Sequence, residues 1–345
     1  MPEHSAQPFT HLGRTGVEVS RLCLGTMMFG GWGNKDHAES ERIIHAALDA
    51  GINFIDTADI YAKGESEEIV GKALKGRRDE VVLATKFYNQ LSEGPNRRGG
   101  SRLWIMRAVE DSLRRLGTDH IDLYQMHRPD QFTDIDETLA ALTDLVQQGK
   151  VRYVGSSTFQ PSQVVEAQVA ARERRFVRFI SEQPPYSMLA RGIEADLLPT
   201  ARRHDMAVIV WSPLAGGWLS GRFRTGVPFP TTHRDNHDHR RFDLDNPYVA
   251  AKFEAADRLG ALADELGVSL VTLAIAWTLV HPAVTSAIIG PRTMAQLQDQ
   301  LAAARYEIAD DVLDRIDEIV APGTTINPID QGFINWWLEP SQRRP

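Results

Sequence analysis

Four side chains in the N-terminal part of the chain make a proton-transfer set if they are brought together. Asp56 closes the run Phe54-Ile55-Asp56, Tyr61 follows five residues on, Lys86 ends the run 81–86 and His127 ends the run 121–127. Singly, each has an ordinary use: Asp56 as a cap acceptor, Tyr61 as a packed loop aromatic, Lys86 and His127 as solvated strand ends. Jointly they do something else. A phenol has an unperturbed pKa near ~10, so it donates to a reacting group at neutral pH only if the phenolate left behind is stabilised. Lys86 supplies that positive charge, Asp56 the counter-charge that keeps the lysine protonated and in place, and His127 can hydrogen-bond and orient a carbonyl oxygen.

The elements that must position these groups are short aliphatic or β-branched runs, each followed by a turn and an amphipathic helix. Strands are predicted at 21–25, 53–57, 81–86, 121–127, 151–156, 179–183, 207–211 and 285–290, and eight parallel strands close a barrel whose active face is the set of strand C-termini. A helix over 101–116 carries the stripe Leu103, Met106, Val109, Leu113 and Leu116, with Ser101 as N-cap and Gly117 as stop. A second, 136–148, turns Leu139, Leu142, Leu145 and Val146 inward before Gly149. The segment 13–20 reads as a small hairpin plugging the barrel's bottom. The expected fold is α/β, a single-domain (β/α)8 TIM barrel over 1–345, with its core at about 12–320, long loops on the active face and a tail over 321–345. An open doubly wound sheet is disfavoured, because Gly30-Gly31-Trp32-Gly33 lacks the Gly-x-Gly-x-x-Gly spacing.

Asp, Tyr, Lys and His in this order at these strand ends resemble the tetrad of the aldo-keto reductase superfamily. The text Gly51-Ile52-Asn53-Phe54-Ile55-Asp56-Thr57-Ala58, then Tyr61, then Gly64-Glu65-Ser66-Glu67, is similar to the family's own. The resemblance runs over about 12–301. Gln183-Pro184-Pro185-Tyr186-Ser187 resembles the bacterial branch that includes deoxysugar reductases, beside the channel-beta-subunit-like proteins. It implies a nicotinamide-dependent oxidoreductase interconverting a carbonyl and an alcohol, with Tyr61 as general acid and base.

The resemblance also implies where the nucleotide lies. Ser157, Thr158 and Gln183 correspond to the carboxamide contacts, with Thr158 standing where the family has Asn, and Trp211 to the aromatic that stacks on the nicotinamide. Gly25, Thr26 and Met27 at the end of the first strand, and Ser212, Pro213 and Leu214 after Trp211, are expected to flank it. Gly216 and Gly217 let the backbone approach a pyrophosphate, and Arg222 or Arg224 can cover it. Gly290 and Arg292 meet a helix N-terminus, where fixed partial positive charge favours phosphate. Arg292 suits a 2′-phosphate, which points to NADPH over NADH, and Gln296 and Gln300 resemble the adenine and ribose contacts. The substrate, a small-molecule carbonyl or alcohol, is expected to meet Tyr61 and His127 within walls of Met27, Phe29, Trp32, Tyr88 and the Trp336-Trp337 tail, a lining that suits a bulky ring compound.

Composition narrows the alternatives. With 46 acidic and 38 basic residues the net charge is −8, against a nucleic-acid or anionic-membrane surface. The one cysteine, Cys23, excludes an internal disulfide and multi-cysteine metal sites, and no metal is expected. The first 13 residues lack the apolar core of a signal peptide, and no apolar run approaches the ~18 residues of a membrane span, so a cytoplasmic location is expected. A metal-dependent hydrolase on the same barrel is the first rival, invited by His233, His237 and His239. Those histidines sit in the proline-containing stretch 221–246, read as a solvated loop, and the first strand has no His-x-His pair. The second rival is a regulatory module that keeps barrel and cofactor without turnover. The tail tryptophans are expected to cover either the substrate or a partner subunit, with the oligomeric state left open.

Overall fold

Parallel strands buried on both faces need helices outside and apolar side chains inside, and the chain satisfies both demands by alternation. The computed structural model describes residues 8–229, 241–333 and 335–343. A hairpin, β1 (Phe9–His11) and β2 (Glu18–Ser20), precedes the barrel strands β3 (Leu22–Gly25), β4 (Phe54–Asp56), β5 (Val82–Phe87), β6 (Ile121–Met126), β7 (Val151–Ser157), β8 (Phe179–Gln183), β9 (Ala207–Val210) and β10 (Ser286–Ile289). The ring closes in the order β10-β3-β4-β5-β6-β7-β8-β9, every pair parallel. This is a (β/α)8 barrel, each predicted strand falling on an observed one to within a residue or two.

Around it lie α1 (His37–Asp49), α2 (Glu65–Ala73), α3 (Arg102–Leu116), α4 (Ile135–Gln147), α5 (Pro161–Arg174), α6 (Leu197–Arg203), α7 (Pro247–Glu265), α8 (Leu270–Val280) and α9 (Met294–Ala302), followed by α10 (Asp310–Ile319). In α3 the Ser101 hydroxyl caps Trp104 N and Gly117 ends the helix in the left-handed region. Its inner face is one step round from the expected stripe. Trp104, Ile105, Ala108, Val109, Leu113 and Leu116 are buried, whereas Leu103 is 48% exposed. The indole of Trp104 and Ile105 take the core-facing positions, and Leu103 is turned toward solvent.

The hairpin closes the bottom. Leu12 and Val19 are wholly buried and cluster with Cys23, Phe54, Ala84, Leu123, Ile180 and Ile209 of the barrel strands. Gly13 fits because it adopts φ +60 and a Cβ there would stand 2.9 Å from Asp205 O. With the bottom packed, the open end is the strand C-terminal one. Among the described residues no single helix is long and apolar enough to cross a membrane.

Candidate active site

Asp56 ends β4, Lys86 lies in β5, His127 follows β6, and Tyr61 sits on a tight turn after β4. They converge at the open end. Lys86 Nζ donates to Asp56 Oδ1 at 2.5 Å, to Thr57 O at 2.8 Å and to Tyr61 Oη at 3.2 Å, and the lysine is fully buried. The Tyr61 turn is held by Ala62 and Lys63 at positive φ, a strained geometry that places the phenol over the barrel mouth. The Tyr61 and His127 rings meet edge to face with centroids 5.9 Å apart, and Trp32 packs 6.2 Å from Tyr61.

Asp56 is a hub. Its Oδ2 accepts from Gln125 Nε2 at 3.1 Å and Gln183 Nε2 at 2.8 Å, so both oxygens are satisfied without water. Gln125 went unremarked in the sequence, although Leu123, Gln125 and His127 alternate inward at period two. Burial is the largest influence on the Lys86 ammonium and works against it, but Asp56 and Tyr61 outweigh it and its pKa is raised. Burial likewise leads in lifting the Tyr61 phenol above its ordinary value, with Lys86 opposing. The His127 imidazole lies well below its ordinary value through burial, then the Lys86 and Arg128 charges, so it is neutral at physiological pH. Its Nδ1 lies 2.9 Å from Asn89 Nδ2. An amide nitrogen only donates, so Nδ1 is the acceptor and the ring proton is on Nε2.

From the tetrad a cleft of about 520 Å³ runs across the barrel top to α9. Of the expected cofactor and substrate residues, Gly25, Met27, Asp56, Tyr61, His127, Ser157, Gln183 and Trp211 line its near part. Ser212, Pro213, Leu214, Gly216 and Arg222 line its middle, and Gly290, Arg292, Gln296 and Gln300 its far end. Gly217 lines it as expected beside Gly216, and Arg128, Met28, Ser220 and Asp299 line it as well. The Trp211 indole is oriented by Nε1 donating to Gln183 O at 3.2 Å.

Several expected residues stand elsewhere. Thr26 is buried, its hydroxyl 2.8 Å from Ser66 Oγ. Thr158 is buried at φ +60 and its Oγ1 accepts from Arg128 Nη1 at 3.0 Å, so it serves the arginine rather than the cleft wall. Phe29 is wholly buried in the core. Tyr88, strained at φ +125, is not among the lining residues. Arg224 pairs with Asp257 and Asp264 of α7, which leaves Arg222 as the arginine over the cleft. His233, His237 and His239 lie outside the described residues, and among the described residues no three metal-ligating side chains cluster. The tail reaches the site through Gly332, where a Cβ would come 3.1 Å from both Trp211 Cζ2 and Pro185 Cγ. Trp336 instead lines a separate cavity beside Phe159 and Gln160.

The far end fits a dinucleotide. Gln300 Oε1 is a buried acceptor with no partner, Arg222 and Arg292 make no ion pair among the described residues, and Gly216 and Gly217 adopt positive φ on the floor between them. An amino-purine donor answers the first of these, a diphosphate with a further phosphate the second, and a close backbone approach the third.

Comparison with known proteins gives the family. A family model described as the Aldo/keto reductase family matches residues 21–321. The chain is 43% identical to the Bacillus subtilis protein named "Uncharacterized oxidoreductase YrpG", over 90% of this chain and 95% of that one. It is 35% identical to an Arabidopsis thaliana protein named "Probable voltage-gated potassium channel subunit beta", over 90% and 96%. It is 34% identical to the versiconal hemiacetal acetate reductase of Aspergillus parasiticus, over 91% and 97%.

Proposed function

The chain belongs to the aldo/keto reductase family, a carbonyl/alcohol oxidoreductase family, and we propose that it is an NADPH-dependent reductase in which Tyr61 gives and takes the proton. The observation that carries this is Lys86 Nζ, held between Asp56 Oδ1, Thr57 O and Tyr61 Oη.

When bound, the nicotinamide supplies the hydride. The protein's own groups handle the oxygen. Tyr61 rests protonated, and its proton passes to the substrate oxygen as negative charge develops there; the phenolate left at Oη keeps its bond to the Lys86 ammonium. Asp56 holds that ammonium in place and is itself fixed by Gln125 and Gln183. His127 donates from Nε2 to the same oxygen and sets its direction, a preorganised dipole that needs no charge of its own. In oxidation each proton runs backwards through the same groups. Ser157 and the Gln183 Oε1 atom would hold the carboxamide, and the Trp211 face the nicotinamide ring. Arg222 would cover the diphosphate, Arg292 a 2′-phosphate, and Gln296 and Gln300 the adenosine.

Titration of protein fluorescence with NADPH and NADH tests the cofactor assignment. NADPH is expected to bind more tightly, and Arg292→Ala to remove about tenfold or more of that preference, the worth of a charge-assisted fork. Tyr61→Phe should bind the nucleotide as wild type does and lose at least about a hundredfold in kcat for aldehyde reduction. Failure to bind either nucleotide would sink the reading. The relative named as a potassium channel subunit supports a second one, a cofactor-binding regulatory subunit, and absence of turnover in a protein that binds NADPH would favour it.

A further inference from the structure

A half-buried arginine at the substrate end of the cleft makes no ion pair among the described residues, although Glu182 lies near enough to feel its charge. Arg128 follows His127 and lines the same cavity as Tyr61 and His127. Both hydrogens of its Nη1 are used, one on His127 O at 2.6 Å and one on Thr158 Oγ1 at 3.0 Å. Among the described residues its Nε and Nη2 make no hydrogen bond and Arg128 makes no ion pair. The carboxylates around it are committed elsewhere. Glu182 accepts from Ser156 Oγ at 2.5 Å and Phe159 N at 3.0 Å. Asp130 accepts from Gly100 N, Phe132 N and Thr133 Oγ1, and Asp56 from Lys86 and the two glutamines.

A guanidinium partly withdrawn from water with no anion bonded to it is costly, and its open Nε–Nη2 edge presents two parallel N–H groups at the spacing of a carboxylate. We propose that Arg128 is an anion subsite for the substrate, and that the preferred substrates are ring-bearing aldehydes or ketones that also carry a carboxylate. The inference rests on the reductase reading and deepens it by naming the substrate class. The Thr158 hydroxyl and the His127 carbonyl set the guanidinium's plane, which accounts for a buried threonine at positive φ where a hydroxyl at that spot is needed. Trp32, packed 6.2 Å from Tyr61 though not itself lining the cleft, would lie beside the ring. The carbonyl at Tyr61 and the acid at Arg128 would together fix the substrate at two points, which raises the fraction bound in reactive orientation.

The test compares two aldehydes of the same shape, 4-carboxybenzaldehyde and its neutral ester methyl 4-formylbenzoate. Wild-type kcat/KM is expected to favour the acid by about tenfold to a hundredfold, the range for a charge-assisted bidentate contact, with the difference in KM. Arg128→Gln should bring the ratio close to one, and Arg128→Lys, which keeps the charge and loses the fork, should recover only part of it. Benzoate should inhibit wild type at concentrations at least about tenfold below benzamide, a measurement that needs no variant. If both aldehydes are reduced with no preference for the acid, or benzoate is no better than benzamide, the subsite is overturned while the reductase reading stands. No turnover of either aldehyde with either nucleotide overturns the reading and the subsite with it.

Discussion

His127 works only if its proton is on the nitrogen that faces substrate, and one amide decides that. Asn89 Nδ2 donates to Nδ1 at 2.9 Å, leaving Nε2 as donor. Asn89→Asp reverses the instruction, because a carboxylate accepts from Nδ1–H, moves the proton off Nε2 and raises the imidazole pKa. The expected result at neutral pH is a kcat/KM lower by roughly tenfold to a hundredfold, recovering toward acid as the imidazolium restores Nε2–H. Wild type, with its His127 pKa far below the ordinary value, should show no inflection there; NMR of the imidazole nitrogens reads the tautomer directly. Glu182, fully buried, offers a second residue-scale test. Burial raises its pKa from 4.5 to about 7, against the pull of Ser156 Oγ and the Phe159 amide. The folded chain therefore holds this proton more tightly than the unfolded chain. Its contribution to stability is complete below the unfolded pKa, is lost as pH rises through about 7, and amounts to about 3 kcal/mol across that window. Denaturant unfolding of Glu182→Gln should show a correspondingly shallower fall between those pH values, and an unchanged slope would refute the assignment.

Among the elements, the strands hold the tetrad and the loops and tail finish the cleft. The loop after β9 is anchored by a stack of Trp218, Phe223 and Phe242, with Trp218 and Phe242 7° from parallel at 5.5 Å, and by Arg224 on Asp257 and Asp264. That anchorage was not legible in sequence, since Arg222 and Arg224 look alike until α7 is placed beside one of them. The tetrad was legible because residue type and strand-end position are both local facts. Phe29 and Thr158 lie buried off the cleft wall for the converse reason: which way a loop side chain points depends on neighbours far away in sequence. Leu103 faces solvent by one helical step, a rotation decided by which of its neighbours, Trp104 and Ile105, the core takes up. In the tail it is Gly332, and not Trp336, that meets Trp211. Gly332 at φ +72 packs against Trp211, and Asp330 is tied to Lys252 of α7 at 2.5 Å. Gly332→Val places a branched side chain where a Cβ already stands 3.1 Å from the indole and strains the backbone by about 1 kcal/mol or more. KM for aldehyde is expected to rise by roughly fivefold or more while the melting temperature moves by less than about 2 °C, because the displaced tail lies outside the barrel core. Kinetics and a thermal scan of one preparation decide it; a large drop in melting temperature would make the tail a structural strap instead.

At the scale of the whole molecule the cleft follows the barrel's seam. β10, from the C-terminal part of the chain, closes the ring by pairing with β3 through Ala287, Ile288 and Ile289 and with β9 through only Ser286 and Ala287, whereas β6 and β7 share five registered pairs. The cleft is lined on one side by Gly25 at the end of β3 and Met27 after it, on another by residues 211–214 and by Gly216 and Gly217 after β9, and at its end by Gly290 and Arg292 after β10. Asn34, in the loop after β3, donates to Arg292 O at 2.9 Å and is a direct tie across that opening. A dinucleotide bound there would join three strand ends whose own ladder is short, so its binding free energy should appear as stability of the seam. At a nucleotide concentration about 100 times its Kd the gain is about 2.7 kcal/mol, which for a chain of this size corresponds to a rise of roughly 3–5 °C in melting temperature. Hydrogen exchange should locate it, with amides of β3, β9 and β10 slowed by NADPH far more than those of β6 and β7. Protection spread evenly round the ring would mean that the nucleotide stabilises the barrel without bridging its closure.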